Sequence, residues 1–295
     1  MKIRQNVFPV IAAFIWGVAF VAQSVGADYV GAFTYNTVRF FIGAVTLLLI
    51  MPLMRKLEAG GGKEKSNKKD LLIGGLLCGT LIGIASILQQ LGLSDTAAGK
   101  AGFLTALYIV LVPLIGLFFG RKVPVIVWFC VVLAVFGLYF LCVTDGLNVG
   151  VSDIYLLLCA VVYALQILAV DKYSRTVSGV YLSMAQFLVA GLISAVLMLL
   201  YETPTLSSLW QCRWSILYVG ILSSGVAYTL QIIAQKGSNP TVVSLLLSLE
   251  SVFSVIAGAV ILKELLSARE YLGCALMLTA VVLVQLPSKN RLNNA

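Results

Sequence analysis

Histidine is missing from the 295 residues altogether, and only 11% of them carry charge. Without histidine the commonest metal ligand and proton shuttle is gone. A soluble globular chain has roughly 25% charged residues, so this one has too little polar surface to cover a water-exposed fold. The cysteines are Cys78, Cys130, Cys142, Cys159, Cys212 and Cys274. None form a Cys-x-x-Cys pair and five lie in apolar runs, so they read as small packing residues. The longest loop, residues 55–70, holds 16 residues, which leaves no room for an aqueous catalytic domain. No His/Asp cluster, paired intramembrane carboxylates or Walker loop is present. No metal or cofactor is expected, and an enzyme reading has little to stand on.

What is abundant is apolar: 60% of the residues are hydrophobic. A membrane-spanning helix needs roughly 20 mostly apolar residues. Ten stretches qualify: 7–26, 33–54, 71–92, 99–119, 124–143, 153–171, 179–201, 214–235, 240–262 and 269–286. Lys2 and Arg4 ahead of the first stretch resemble a signal peptide. No small-x-small cleavage site follows, so the stretch reads as an uncleaved first span.

The net charge of +8 does not point to nucleic acid, because the basic residues sit in short loops between apolar runs. With a cytoplasmic N-terminus, 15 of the 20 Lys and Arg fall on the inner side, four (Lys100, Arg213, Lys263, Arg269) on the outer side, and Arg39 lies within the second span. That bias predicts a multi-pass plasma-membrane protein with both termini and the charged, Gly-rich 55–70 loop in the cytoplasm.

The chain also repeats. Residues 83–89, GIASILQ, and 225–231, GVAYTLQ, agree at four of seven positions at an offset of 142. Trp16 matches Tyr163, and Arg39-Phe40 matches Gln186-Phe187, both at an offset of 147. The expected domains are therefore two five-helix repeats, 1–146 and 147–295. Because five is odd, the second copy enters the membrane from the opposite side. The expected fold is an all-α integral membrane protein of ten transmembrane helices in two inverted repeats, with a site at the midplane between them.

Several local patterns support a family resemblance. They are AAFIWGVAF in the first span, NTVRFF opening the second, and AGKAGFLTALYIVLVPLIGLFFGRK across the fourth, with Gly137 late in the fifth. SLLLSLESVFSVIAGAVILKE then runs from the ninth span towards the tenth, which carries Gly273. With the five-plus-five plan, these resemble the drug/metabolite transporter superfamily, EamA type. The chain departs from many relatives at Ser251, where they carry proline, and at Arg121, where they carry an acidic residue; Glu264 keeps the pattern. The resemblance implies a basket-like bundle whose central cavity is lined by spans 1, 3, 4, 6, 8 and 9. It also implies substrates such as amino acids or other small metabolites, often exported. Cationic or nucleotide-like substrates are the alternative within the superfamily; an embedded enzyme or a scaffold is the alternative outside it.

Polar groups in hydrocarbon are costly and should face protein or water. Ser224, Tyr228, Gln231 and Gln235 recur at helical spacing on one face of the eighth span. Ser86, Gln89 and Gln90 occupy the matching repeat position in the third. Trp16, Tyr108, Tyr163 and Tyr228 contribute aromatic faces from four spans, and Gln166 joins the sixth-span candidates. All of these are candidate substrate contacts, with bundle packing or interhelical hydrogen bonding as the structural alternative. Glu250 is a lone carboxylate midway along the ninth span, so it must be paired, hydrated or protonated. Binding a substrate amine, carrying a coupling proton, and pairing structurally with Arg39 are the three readings. Arg39 either anchors a carboxylate or closes an outer gate, or else snorkels to the headgroups. Lys100 is expected to reach the outer interface. Gly75, Gly79 and Gly83, and likewise Gly116 and Gly120, recur every four residues and predict close helix contacts, while Pro113 predicts a bend. The expected partners are a small-molecule substrate, the lipid bilayer and protons, with no nucleic acid, for a monomer or homodimer.

Overall fold

In α2 (Ala32–Ala59), Phe40, Ala44, Leu47 and Met54 are buried, while Val45, Leu48, Leu49 and Leu53 are exposed. Both faces are apolar, so the outward one cannot be a water-facing face and suits a lipid-facing helix. The structure is a computed structural model that describes residues 2–59, 67–96, 98–120, 123–142, 150–261 and 267–285. Among the described residues all regular structure is helical.

Besides α2, the helices are α1 (Lys2–Ala27), α3 (Lys68–Leu93), α4 (Ala98–Ala106), α5 (Tyr108–Phe118), α6 (Val125–Cys142), α7 (Val151–Tyr173) and α8 (Gly179–Tyr201). The short α9 (Leu206–Gln211) and α10 (Arg213–Tyr218) follow, then a π-helical segment (Val219–Tyr228) continued by α11 (Thr229–Gln235). Last come α12 (Pro240–Leu247), α13 (Glu250–Ile261) and α14 (Ala268–Gln285). Counting interrupted helices as continuous, eight are long and apolar enough to cross a membrane among the described residues. They cover eight of the ten expected spans. The expected fifth is a shorter apolar helix, Val125–Phe140, packed against α14, which occupies the place of the tenth. The Lys100 side chain and most of the 55–70 loop lie outside the described residues.

α2 runs along α8, α3 packs on α7 and α8, and α1 packs on α13 and the π segment. Glycines permit the α3–α8 approach. A Cβ on Gly79 would sit 2.5 Å from Val189 Cβ, and one on Gly75 would sit 2.6 Å from Ala185 Cβ. Gly120 has another role. Its φ is +71° and nothing lies within 4 Å of an added Cβ, so it serves the turn after α5 and not a helix contact.

Two carboxylates tie α2 to α8 reciprocally. Glu202, just past the end of α8, accepts from Phe33 N (3.0 Å) and Thr34 N (2.7 Å) at the start of α2. Glu58, at the end of α2, accepts from Ser178 Oγ (2.7 Å) and the Gly179 amide at the start of α8. Each satisfies orphan amides at a helix N-terminus, where the helix dipole also favours negative charge.

Candidate functional site

Two interrupted helices and one π segment shape the centre of the bundle. The first interruption is at Leu107, where the amide reaches back only three residues, to Leu104 O (3.4 Å). The second repeats it 142 residues later, with Leu249 N to Leu246 O (3.3 Å). Pro113, where a bend was expected, sits inside α5, six residues after the first break. Tyr108 and Glu250 each open the helix after a break, 142 residues apart. They meet, Tyr108 Oη donating to Glu250 Oε1 at 3.1 Å.

Around this pair lies a cavity of about 30 Å³, nearly filled by the side chains that project into it. Trp16, Phe20 and Gln23 come from α1, Arg39 from α2 and Gln89 from α3. Thr105 and Tyr108 flank the first break; Tyr163, Gln166 and Ile167 come from α7. Ser223, Tyr228 and Gln231 come from the π segment and α11, with Leu247 and Glu250 flanking the second break. All are buried except Trp16, which is partly buried.

The polar lining forms a chain of contacts. Arg39 donates from Nη1 to Gln23 Oε1 (2.6 Å) and from Nη2 to Ser86 Oγ (3.2 Å). Ser86 Oγ lies 3.4 Å from Tyr163 Oη, which in turn lies 3.0 Å from Tyr228 Oη. Trp16 packs its ring 4.7 Å from that of Tyr228 and donates from Nε1 to Ser223 O (3.4 Å). Arg39 and Glu250 are 1% and 5% exposed, yet neither is in an ion pair among the described residues. The structural Arg39–Glu250 pair is therefore not formed. Arg39 does not snorkel either, because its guanidinium is held inside by Gln23 and Ser86. Arg39 Nε, Gln166 Oε1 and Gln231 Oε1 line the cavity, are buried and have no hydrogen-bond partner among the described residues. Buried polar atoms are almost always bonded, so these three leave unused hydrogen-bonding capacity in the cavity.

Nine of the residues singled out in the sequence come together here: Trp16, Arg39, Gln89, Tyr108, Tyr163, Gln166, Tyr228, Gln231 and Glu250. Four others lie outside the lining, among them Ser86, which bonds Arg39 from behind it. Gln90 is buried and donates to Gln23 O (3.1 Å). Gln235 donates to Ile167 O (3.2 Å). Ser224 faces α2, where an added Cβ on Gly43 would meet its Cβ at 2.8 Å. The π segment explains Ser224. Its i to i+5 bonding shifts the face by about one residue per turn, so Ser223 faces the cavity. Sequence reasoning also missed Phe20, Gln23 and Thr105. The first two follow Trp16 at i+4 and i+7 on α1, a spacing that marks one face.

The model of the EamA-like transporter family matches residues 5–143 and 150–286, one stretch in each half. An uncharacterized transporter of Archaeoglobus fulgidus is 31% identical over 290 residues, 94% of this chain and 84% of that protein. The uncharacterized transporter YoaV of Bacillus subtilis is 26% identical over 269 residues, 89% of this chain and 90% of that one. One solved crystal structure shares the fold with a TM-score of 0.75 at 17% identity, covering 95% of this chain and 96% of its own. The chain, a helical membrane protein built around a buried polar cavity, belongs to the EamA-like transporter family.

Proposed function

We propose that this protein is a secondary transporter that exports a small zwitterionic metabolite, such as an amino acid, by alternating access around the central cavity. One observation carries the reading: Arg39 and Glu250 are buried in the same cavity, and neither has a countercharge among the described residues. A zwitterion supplies both, its carboxylate to Arg39 in a charge-assisted bond and its ammonium to Glu250. The Trp16, Tyr163 and Tyr228 rings add aromatic surface for a side chain. Glu250 is also the carboxylate in the cavity through which proton coupling would run. Export is the direction that the family resemblance implies.

Alternating access here rests on ten spans in two inverted repeats. The family match in each half supports this, as do the helix breaks 142 residues apart and the reciprocal Glu58 and Glu202 caps. Exchanging the halves maps the α3–α7 contact onto the π segment with α1, and the α2–π contact onto α8 with α3. The test is a melting-temperature screen of the purified protein. Amino acids should stabilise it, while their decarboxylated amines and deaminated acids should not. Stabilisation by a quaternary amine or nucleoside and by no amino acid would overturn the zwitterion reading.

A further inference from the structure

A second open space lies at the end of the bundle assigned to the cytoplasm, away from the central cavity. It is a groove of about 680 Å³, lined by Leu77 and Leu81 of α3, Phe119 after α5, and Leu165 and Leu168 of α7. Its far end carries Asp171, Lys172 and Arg175. The walls are apolar and partly outward-facing, with Leu77 43% and Phe119 70% exposed. The charges at the rim are not equivalent. Arg175 Nη2 holds buried Asp171 at 3.1 Å, so that pair is close to neutral. The exposed Lys172 extends over the Tyr173 ring at 5.2 Å and, among the described residues, leaves the rim one positive charge in excess.

We infer that this groove is a binding site for an anionic phospholipid, with an acyl chain along Leu77, Leu81, Leu165 and Leu168 and the headgroup phosphate at Lys172 and Arg175. The apolar-to-cationic order follows the long axis of α7, the polarity of a lipid in a leaflet. A free phosphate would use only the rim and leave the apolar walls uncovered. Basic groups between helices on this side of a membrane commonly hold anionic headgroups, each cation contributing about fivefold in affinity.

The test uses the full-length purified protein with added phosphatidylglycerol or phosphatidylcholine, followed by native mass spectrometry and melting curves. Phosphatidylglycerol should bind and stabilise more strongly than phosphatidylcholine. Lys172→Gln, which leaves the Asp171–Arg175 pair intact, should reduce that preference by about fivefold. Leu81→Trp should weaken retention of both lipids by filling the groove. Equal binding of the two lipids, an unchanged preference in Lys172→Gln, or the same stabilisation by inorganic phosphate alone would overturn the assignment. So would a groove closed by self-association, read as a Leu81→Trp variant that turns a dimer into a monomer with lipid binding unchanged.

Discussion

At the scale of single residues, Glu250 is the most informative. A lone carboxylate in an apolar run was legible in the sequence because hydrocarbon makes its presence expensive. Its partner was not, because a helical pattern does not say that the chain breaks at Leu107 and Leu249 and turns Tyr108 towards Glu250. Glu250→Gln keeps the shape and a hydrogen-bonding partner for Tyr108. It should fold and melt like the parent yet lose coupled accumulation or substrate affinity, as read by transport beside a melting curve. Tyr108→Phe should cost little further in that background, since the two groups act as one unit. Arg39→Met strands no carboxylate among the described residues but removes the donors to Gln23 Oε1 and Ser86 Oγ. Ligand affinity should fall by about 2–5 kcal/mol in isothermal titration, with stability falling by about 1 kcal/mol per lost bond. Ser224 lies outside the lining for a physical reason: α-helical spacing was applied to a stretch that is π-helical, which moves Ser223 into the lining.

At the scale of elements, the Gly75, Gly79 and Gly83 series was legible because its four-residue spacing has one use in a lipid-facing helix, close approach. The same spacing misled at Gly120, where the backbone conformation decides. Gly79→Val should cost about 1–3 kcal/mol by overpacking α3 against Val189. Gly102→Ala should be nearly neutral, since the nearest atom to an added Cβ is Ser251 Oγ at 3.8 Å. Thermal melts of the two variants in one detergent check the contrast. The breaks in the fourth and ninth spans left a weaker trace. Pro113 lies in the fourth span but six residues beyond its break, and Ser248 with its neighbours carries no breaker signal at all. Tertiary packing around the cavity sets those positions, not local propensity.

For the whole molecule, hydropathy was enough to place most spans, because in lipid each backbone group must be bonded within its own helix. How the spans assemble was less accessible. The Glu58 and Glu202 caps lie at opposite ends of the α2–α8 pair, and the sequence reading did not single out either as a cap. The proposed topology predicts that a cysteine replacing exposed Thr203 reacts with an impermeant reagent in intact cells, and that one replacing exposed Thr176 reacts only after lysis. Labelling of both would contradict the positive-inside assignment. The most direct measurement is counterflow of a radiolabelled amino acid, chosen by the stabilisation screen, in proteoliposomes. Transport through the central cavity predicts saturable counterflow for the parent protein, and its loss in Arg39→Met and Glu250→Gln variants that still melt as folded proteins. Counterflow at the parent rate in both variants would contradict it.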